Sequence, residues 1–586
     1  MLLVVNYRWN GTNGNDWKGQ LNGADAGGYY EYLPALFIRH DLDRLKPELG
    51  FVRNQDERQV IKYPPGVAVL LFPFFELGHL LAWAGNFETS GYSEPYLKCV
   101  SLAAIFYLGL GLLALRKLLL LLNIKEGVIA VVLLLLVLGT NLGYYAVIKS
   151  GMSHVYSFAI IACFIYCIVS YFERSKPRYF VGAALFLAIA LLIRPTNVVI
   201  ILMLPFAAGS FSRLNFFFNN RKVFAIAAII FLMVWSIQLI SWHHQSGSWW
   251  VWAYKGEGFY FFHPEILNVL FSFRKGFFLY TPLALISLVG LLPLYKMNRT
   301  KFYALVVTLT FAIYLISAWW CWSYQDSFGM RPFIDYYSLF GILLALLLNG
   351  LSSLISKIIV YTLCLFCMLL NLVQSYQYYK GIIHPFCMNE EKYKYVFLKT
   401  NEKYVNCLGG NIDLQPYSTR ELQLIHSYVN DYEKEVADFT NGEISDMGFC
   451  GEPQSHCCHY SDRNEFGTEL SIKPESAKVV SGIGVSTLHE VLFAKIELKR
   501  YETSFNSSSG ALLAIDITSD KSEYYNAIPL NDTPSEEAGK WKKYNYTFEI
   551  PKPLSPNGVI KIYVWNRGKK DFYIDDFKVQ IFKLFP

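Results

Sequence analysis

The chain is patterned as long apolar stretches joined by short polar turns, and toward its end as short alternating runs. The apolar stretches lie at about 97–115, 127–147, 155–172, 179–193, 196–208, 223–242, 279–295, 302–320, 334–350 and 357–376. Most approach the roughly 20 residues an α-helix needs to cross a bilayer. Two short ones meet at Arg194-Pro195-Thr196-Asn197. Pro195 removes a backbone donor and pushes the residue before it out of helix, which predicts a hairpin turning at the membrane face. The stretch 64–85 is apolar too.

Basic residues decide how 64–85 is expected to lie, because Lys and Arg collect in short cytoplasmic loops. If it lies along the outer face without crossing, the basic clusters at 116–125, 174–178, 213–222 and 296–301, with Lys357, all fall inside. If it crosses, nearly all fall outside. The non-crossing arrangement is therefore expected. It gathers on the outer face the Asp25 loop, the Lys149–His154 turn, the Arg194 turn, the loops 243–278 and 319–333, and the tail after about 377. An outer Asp25 loop calls for a helix ahead of it, and Met1–Val5 is all that stands there of one. A truncated first helix is the expectation, and MLLVV followed by Asn6 shows no signal-peptide core.

The tail changes period. Residues 381–436 read as a linker, tyrosine-rich and helical around 421–436. From 437 to 586 short runs such as LLAIDIT, KYNYTFEI, VIKIYVW and FYIDDFKVQIF are bounded by Gly, Asn, Pro and Ser, the spacing of an all-β sandwich. The remainder, 1–380, is a mostly α polytopic membrane domain of about ten spans, with a first outer loop at 6–96.

Composition sharpens this. Over 586 residues, 53% are hydrophobic and 17% aromatic, too apolar for a soluble enzyme of this size. The net charge of +6 has no basic run behind it, which argues against nucleic acid as a partner. Of the eleven cysteines, Cys99, Cys163, Cys167, Cys364 and Cys367 fall in apolar stretches, where a small buried hydrophobe is expected. Cys387, Cys407, Cys450, Cys457 and Cys458 surround the start of the tail, where an oxidising compartment would allow disulfides without fixing their pairing.

Candidate chemistry converges on the outer face. Asp25 stands among Gly23, Gly27 and Gly28 ahead of an aromatic run, with Tyr29, Tyr30, Tyr32 and Leu36 expected toward lipid. Lys62 and Tyr63 precede Pro64-Pro65, His154 opens a span, Arg194 caps the hairpin, and Arg274 and Lys275 precede FFLYTPLALISLVG. Arg331 follows WWCWSYQDSFGM, which contains Asp326; Glu31 is the acid nearest Asp25. Charges at or within the membrane are expensive and are functional candidates by default. Taken singly, each cation could equally anchor a helix end at lipid headgroups. Together they suit a phosphate site beside a carboxylate: Arg matches phosphate oxygens with a planar fork, Lys adds a point charge, and Asp25 could accept a hydroxyl proton. His154 could shuttle a proton, bind phosphate or satisfy a helix end.

The order GADAGGYYEYLPALF, KYPPG, IRPTN, RKGFFLYTP and WSYQDSFGMRPFIDYY, over roughly residues 20–350, resembles the GT-C-fold glycosyltransferases. These are the protein O-mannosyltransferase and aminoarabinose-transferase kind, and the likeness is to bacterial glycosyltransferase-39-like membrane proteins of Bacteroidetes type. The resemblance implies an inverting transferase in the bacterial inner membrane, with its site and tail on the periplasmic side. It implies a polyprenyl-phosphate sugar donor and a glycan, lipid or protein acceptor. By the same resemblance Asp25 is the catalytic base, and Lys62, Arg194, Arg274 or Arg331 binds the lipid phosphate. The chain departs from the pattern in two places. Ala26 stands where many relatives carry a second acid, and Ser153-His154 where many carry an acid at the outer end of the third span. Both departures count against a bound divalent metal, and no other cofactor is implied. FYIDDFKVQIF looks like the last strand of jelly-roll carbohydrate-binding-like modules. Two other readings are a lipid-linked saccharide transporter, which needs charges deep within its helices, and a membrane scaffold whose outer sandwich binds glycan.

Overall fold

The structure, a computed structural model, describes residues 21, 24–42, 45, 52–55, 58–215, 221–254 and 257–408, and nine strands between 421 and 585. The chain divides into two compact units, one of 1–257, 277–317 and 329–375, the other of 258–276, 318–328 and 376–586.

The first unit is helical. Helix α1 (Ala24–Tyr30) and a hairpin of β1 (Val52–Gln55) and β2 (Arg58–Ile61) precede α2 (Gly66–Ala84) and α3 (Glu94–Leu121). Then come α4 (Glu126–Leu138), α5 (Leu142–Val147), α6 (Ser153–Arg174), α7 (Pro177–Ile193), α8 (Arg221–Ser246), α9 (Arg299–Ser317), α10 (Tyr337–Gly350) and α11 (Leu354–Tyr379). Among the described residues seven helices are long and apolar enough to cross a membrane: α2, α3, α6, α8, α9, the run Arg331–Gly350 and α11. This is a multi-pass membrane protein. Helix α2, expected from charge to lie along the outer face, is by length and composition one of the seven.

The other expected spans are shorter and interrupted. The stretch 127–147 breaks between α4 and α5, 196–208 begins as a 3₁₀ segment (Pro195–Met203), and 279–295 is cut into Phe277–Tyr280, Pro282–Ser287, Leu288–Gly290 and Leu291–Met297. Proline and glycine account for the breaks, since Pro195, Pro205 and Pro282 lack the donor that continues a helix and Gly139 caps α4. Helix α6 is the buried centre, packed by α3 and α7. Hydrophobic burial supplies little between helices in lipid, so close contact matters more. Small side chains on α6 (Ser157, Ala159, Ala162, Cys163) permit that contact, and Asn197 donates to Ser157 Oγ at 3.1 Å. At the other extreme α8 turns Leu232, Met233 and Ile240 outward, as a lipid-facing helix does.

The expectation that Tyr29, Tyr30 and Tyr32 face lipid is corrected: all three are buried, and only Leu36 of that set is exposed. Their hydroxyls explain it. Tyr30 donates to the carbonyl of Gly91 at 2.5 Å and Tyr32 to that of Tyr63 at 2.7 Å, bonds that lipid would not provide.

In the second unit the strands are β3 (Glu421–Val429), β4 (Cys458–Tyr460), β5 (Phe466–Ser471), β6 (Leu492–Glu502), β7 (Leu512–Thr518), β8 (Glu523–Pro529), β9 (Trp541–Ile550), β10 (Val559–Trp565) and β11 (Phe572–Phe585). One antiparallel sheet runs β3–β11–β6–β9, with β4 also pairing β11, and the other runs β5–β10–β7–β8. Leaving β3 aside, the orders are β4–β11–β6–β9 and β5–β10–β7–β8. Those two orders are the interleaved Greek keys of an eight-stranded jelly roll. Alternate residues of β6 (Ala494, Ile496, Leu498) and β9 (Tyr544, Tyr546, Phe548) are buried, as in a sheet with one covered face. The helix expected around 421–436 is corrected, because Glu421–Val429 is a strand pairing Leu422 with Leu584 and Leu424 with Phe582. The pairing skips Ile425 at a register shift opposite Ile581 and Phe582, so the segment's apolar residues do not keep one simple period. Cys387 and Cys407 carry free thiols, and Cys450 and Cys457 lie outside the described residues.

Candidate active site

Four segments of the first unit, far apart in the sequence, meet around Asp25. Helix α1 places the carboxylate in its first turn. The loop after β2 brings Lys62 and Tyr63, fixed below by Ile61 N–H donating to Gln245 Oε1 at 2.8 Å and above by Pro64-Pro65 at the entry to α2. Gly66 is required there, since a Cβ on it would lie 2.4 Å from the Ile193 nitrogen at the end of α7. The loop after α8 brings Tyr254 and Glu257. Arg331 opens a 3₁₀ segment (Arg331–Tyr336), delivered by a turn in which Gly329 has φ +59°, a conformation that favours glycine.

Both oxygens of Asp25 are engaged. Oδ1 accepts from the Tyr63 hydroxyl, and Oδ2 accepts from Arg331 Nη2 at 2.6 Å. The Asp25 side chain nonetheless keeps 28% of its surface open, enough for a substrate atom to reach it. Lys62 Nζ donates to Glu257 Oε1 at 2.6 Å and lies 5.0 Å from the centre of the Tyr254 ring. Tyr29 packs on Tyr63 with ring centres 4.8 Å apart.

Burial by itself would raise the Asp25 pKa. Arg331, the Tyr63 hydroxyl, Lys62 and His154 more than reverse that, and the carboxyl is held below its ordinary range. Burial and then the neighbouring carboxylate push the Tyr63 phenol far up, so it stays a donor. Tyr29 and Tyr254 are raised by burial as well.

Beside this pair stands a second one. His154, at the start of α6, places Nδ1 2.9 Å from Asp335 Oδ1, both residues being almost wholly buried. Arg194, just past α7, places Nη1 3.1 Å from His154 Nδ1 and 3.3 Å from Asp335 Oδ2. Tyr29 lies between the two pairs, its phenol under the influence of both Arg194 and Asp25.

Of the residues the sequence singled out, the first unit brings together Asp25, Tyr29, Lys62, Tyr63, His154, Arg194 and Arg331. Glu31 and Tyr30 stand apart from this group. Glu31 accepts from Arg39 and from Tyr92, and Tyr30 serves packing. Arg274, Lys275 and Asp326 belong to the second unit. There Lys275 Nζ donates to the carbonyls of Ser327 and Pro385, the latter at 2.5 Å, and Asp326 accepts from Tyr378 at 2.5 Å. Burial and the cations Lys392, Lys275 and Arg274 press His384 down to about 3.

Sequence reasoning missed Asp335, Tyr254 and Glu257. Asp335 carried a usable signal, an acid inside the apolar run PFIDYYSLF. Among the described residues no group of three or more His, Cys, Asp or Glu could hold a metal ion.

No protein-family model and no curated protein matches the chain. Among solved structures it is similar to the crystal structure of ArnT from Cupriavidus metallidurans in the apo state, at 14% identity over 57% of this chain and 58% of that one, with a TM-score of 0.34. It is also similar to arabinosyltransferase EmbB from Mycobacterium smegmatis, at 10% identity over 98% of this chain and 64% of that one, with a TM-score of 0.36. The chain thus spans less than two thirds of either protein.

Proposed function

We propose that this protein is a GT-C-type membrane glycosyltransferase. It takes a sugar from a polyprenyl-phosphate donor and passes it, with inversion, to a hydroxyl of a glycan, lipid or protein acceptor at the periplasmic face of the inner membrane. The observation that carries this reading is a part-open carboxylate, Asp25, with Arg331 on one oxygen and Lys62 in its field, and with Arg194 reaching the neighbouring Tyr29 and His154, in a unit of membrane-length helices. A charged lipid phosphate needs cations at the membrane surface, and an attacking hydroxyl needs a proton acceptor beside them.

In this reading the donor phosphate displaces the Asp25 carboxylate from Arg331 and engages Lys62 and Arg194. The carboxylate released from the guanidinium becomes a stronger base when the acceptor hydroxyl arrives. The bond from the sugar anomeric carbon to the phosphate oxygen breaks, its electron pair leaves with the phosphate, and the acceptor oxygen bonds to the opposite face.

The test is transfer of labelled sugar from a panel of polyprenyl-phosphate sugars by purified protein in lipid, for wild type, Asp25→Asn and Arg331→Ala. Release of label by wild type and its loss in Asp25→Asn supports the reading. Release unchanged in Asp25→Asn overturns the assignment of the base. No release from any donor overturns the transferase itself.

A further inference from the structure

We propose that His154 is the proton outlet of this site: the proton Asp25 takes from the acceptor passes to His154 Nε2, and Asp335 is the positioning residue that holds the imidazole for it. The inference rests on the transferase reading above and adds a step to it.

The hydrogen-bond pattern assigns the tautomer. Nδ1 faces the Asp335 carboxylate at 2.9 Å, which can only accept, and Arg194 Nη1 at 3.1 Å, which can only donate. Because Arg194 has a second acceptor in Asp335 Oδ2 and Oδ1 has none but the ring, we place the ring proton on Nδ1, donating to Oδ1. The guanidinium of Arg194 donates to the other oxygen, Oδ2, at 3.3 Å. Nε2 is then a bare lone pair on the far edge of the ring, and among the described residues it has no hydrogen-bond partner. A histidine whose one nitrogen is fixed by a carboxylate presents the other as a base of defined direction. The charged and titratable groups facing it are Asp335, Arg194 and Arg331, with Asp25 in electrostatic reach and the Tyr145 ring at its edge.

The step answers a problem that the first pair creates. When the product phosphate leaves Arg331, the guanidinium and Tyr63 again claim the two Asp25 oxygens and expel the proton that the carboxyl holds. Asp335 gives the imidazolium a carboxylate partner at 2.9 Å, while burial and the cations Arg194 and Arg331 oppose the charge, so the ring holds the proton only in passing. The balance closes without a further reactant. The acceptor O–H proton goes to Asp25, then to Nε2 directly or through one water, and the imidazolium releases it to water as product leaves. Asp25 returns to its carboxylate form.

The experiment is the pH dependence of kcat for wild type, His154→Gln and Asp335→Asn in nanodiscs. Thermal unfolding of each variant serves as a check that it is folded. Wild type is expected to lose activity on the acid side, as His154 becomes protonated before it can receive a proton. His154→Gln should lower kcat by about tenfold or more and flatten that acid limb. Asp335→Asn should keep the limb and move it to lower pH, because removing the carboxylate weakens the hold of the imidazole on a proton. A His154→Gln enzyme that keeps the wild-type limb overturns the inference, and so does an Asp335→Asn limb that stays in place or moves up. Wild type inactive with every donor overturns the transferase reading and this inference with it; the two failures are therefore told apart by wild type alone.

Discussion

Two carboxylates on one short helical segment, Asp25 and Glu31, are held in the same way, each by one tyrosine hydroxyl and one arginine. Glu31 draws Arg39 from the same segment and Tyr92 from the loop ahead of α3. Asp25 draws Tyr63 from the loop ahead of α2 and Arg331 from 306 residues downstream. The local pair has its guanidinium 39% exposed and stitches a turn to a loop. The distant pair adds Lys62 and His154 to the field at one carboxylate, within a ring-packed pocket wall. What separates a staple from a site here is how many distant segments must agree to build it, since the bonds themselves are alike.

The sharpest way to break this comparison is to remove each charge in turn. Asp25→Asn is expected to lower transfer by about 10³-fold, within the range that loss of a general base produces. Glu31→Gln should stay within about threefold, since it touches no substrate, while losing some stability with its ion pair. Transfer measured side by side on labelled donor decides it. Equal losses in the two variants would make the site extend to Glu31.

Arg331→Lys comes next, with an expected loss of about 10²-fold, because lysine keeps the charge but not the fork that can hold two oxygens. The split should appear in KM for the donor as well as in kcat, since the same guanidinium is assigned to the donor phosphate. Arg39→Lys is the matching control and should change neither. A lysine at 331 that leaves donor KM untouched would remove Arg331 from the phosphate site.

How much of this was legible follows the same division. Asp25, Lys62, Arg194 and Arg331, proposed here as the site, could be singled out because each is a charge close to an apolar or aromatic stretch, and such charges need a reason. The jelly roll could be found because period-two runs admit few folds. Asp335 was passed over because its partner His154 lies on another helix 181 residues away, and spacing along the chain says nothing about such a meeting. Tyr29, Tyr30 and Tyr32 were turned the wrong way because amphipathicity read from sequence treats a tyrosine as one more apolar residue. The structure shows hydroxyls of this run claimed by the backbone of other segments. Glu421–Val429 was assigned the wrong period because its strand partner, β11, closes the chain.

Gly66→Ala probes the scaffold of the distant pair with a smaller expected effect, about tenfold on kcat. A methyl there meets the backbone of Leu192 and Ile193 at 2.4–2.5 Å, so either α2 or the end of α7 must shift. The first carries Lys62 and Tyr63 at its entry and the second carries Arg194, and displacements near 1 Å are enough to cost a well-oriented site much of its rate. Donor KM should rise together with the fall in kcat. Activity and thermal stability both unchanged would mean that the approach of α2 to α7 does not set the site.

The smallest effect expected is on stability against pH, and it tests the ion pair without any substrate. The Asp25 carboxyl is lowered in the folded protein, so its contribution is fully present above its unfolded pKa of about 3.9 and is lost as pH falls through the lower folded value. The comparison to make is the difference in unfolding temperature between wild type and Asp25→Asn in detergent. That difference should be constant above about pH 5 and shrink below it. If it instead grows as pH falls, protonation of Asp25 is favourable in the folded state, and Arg331 and Tyr63 do not hold it as an anion. The carboxylate would then lie outside the grip that distinguishes it from Glu31, and the contrast between staple and site would have to rest on geometry alone.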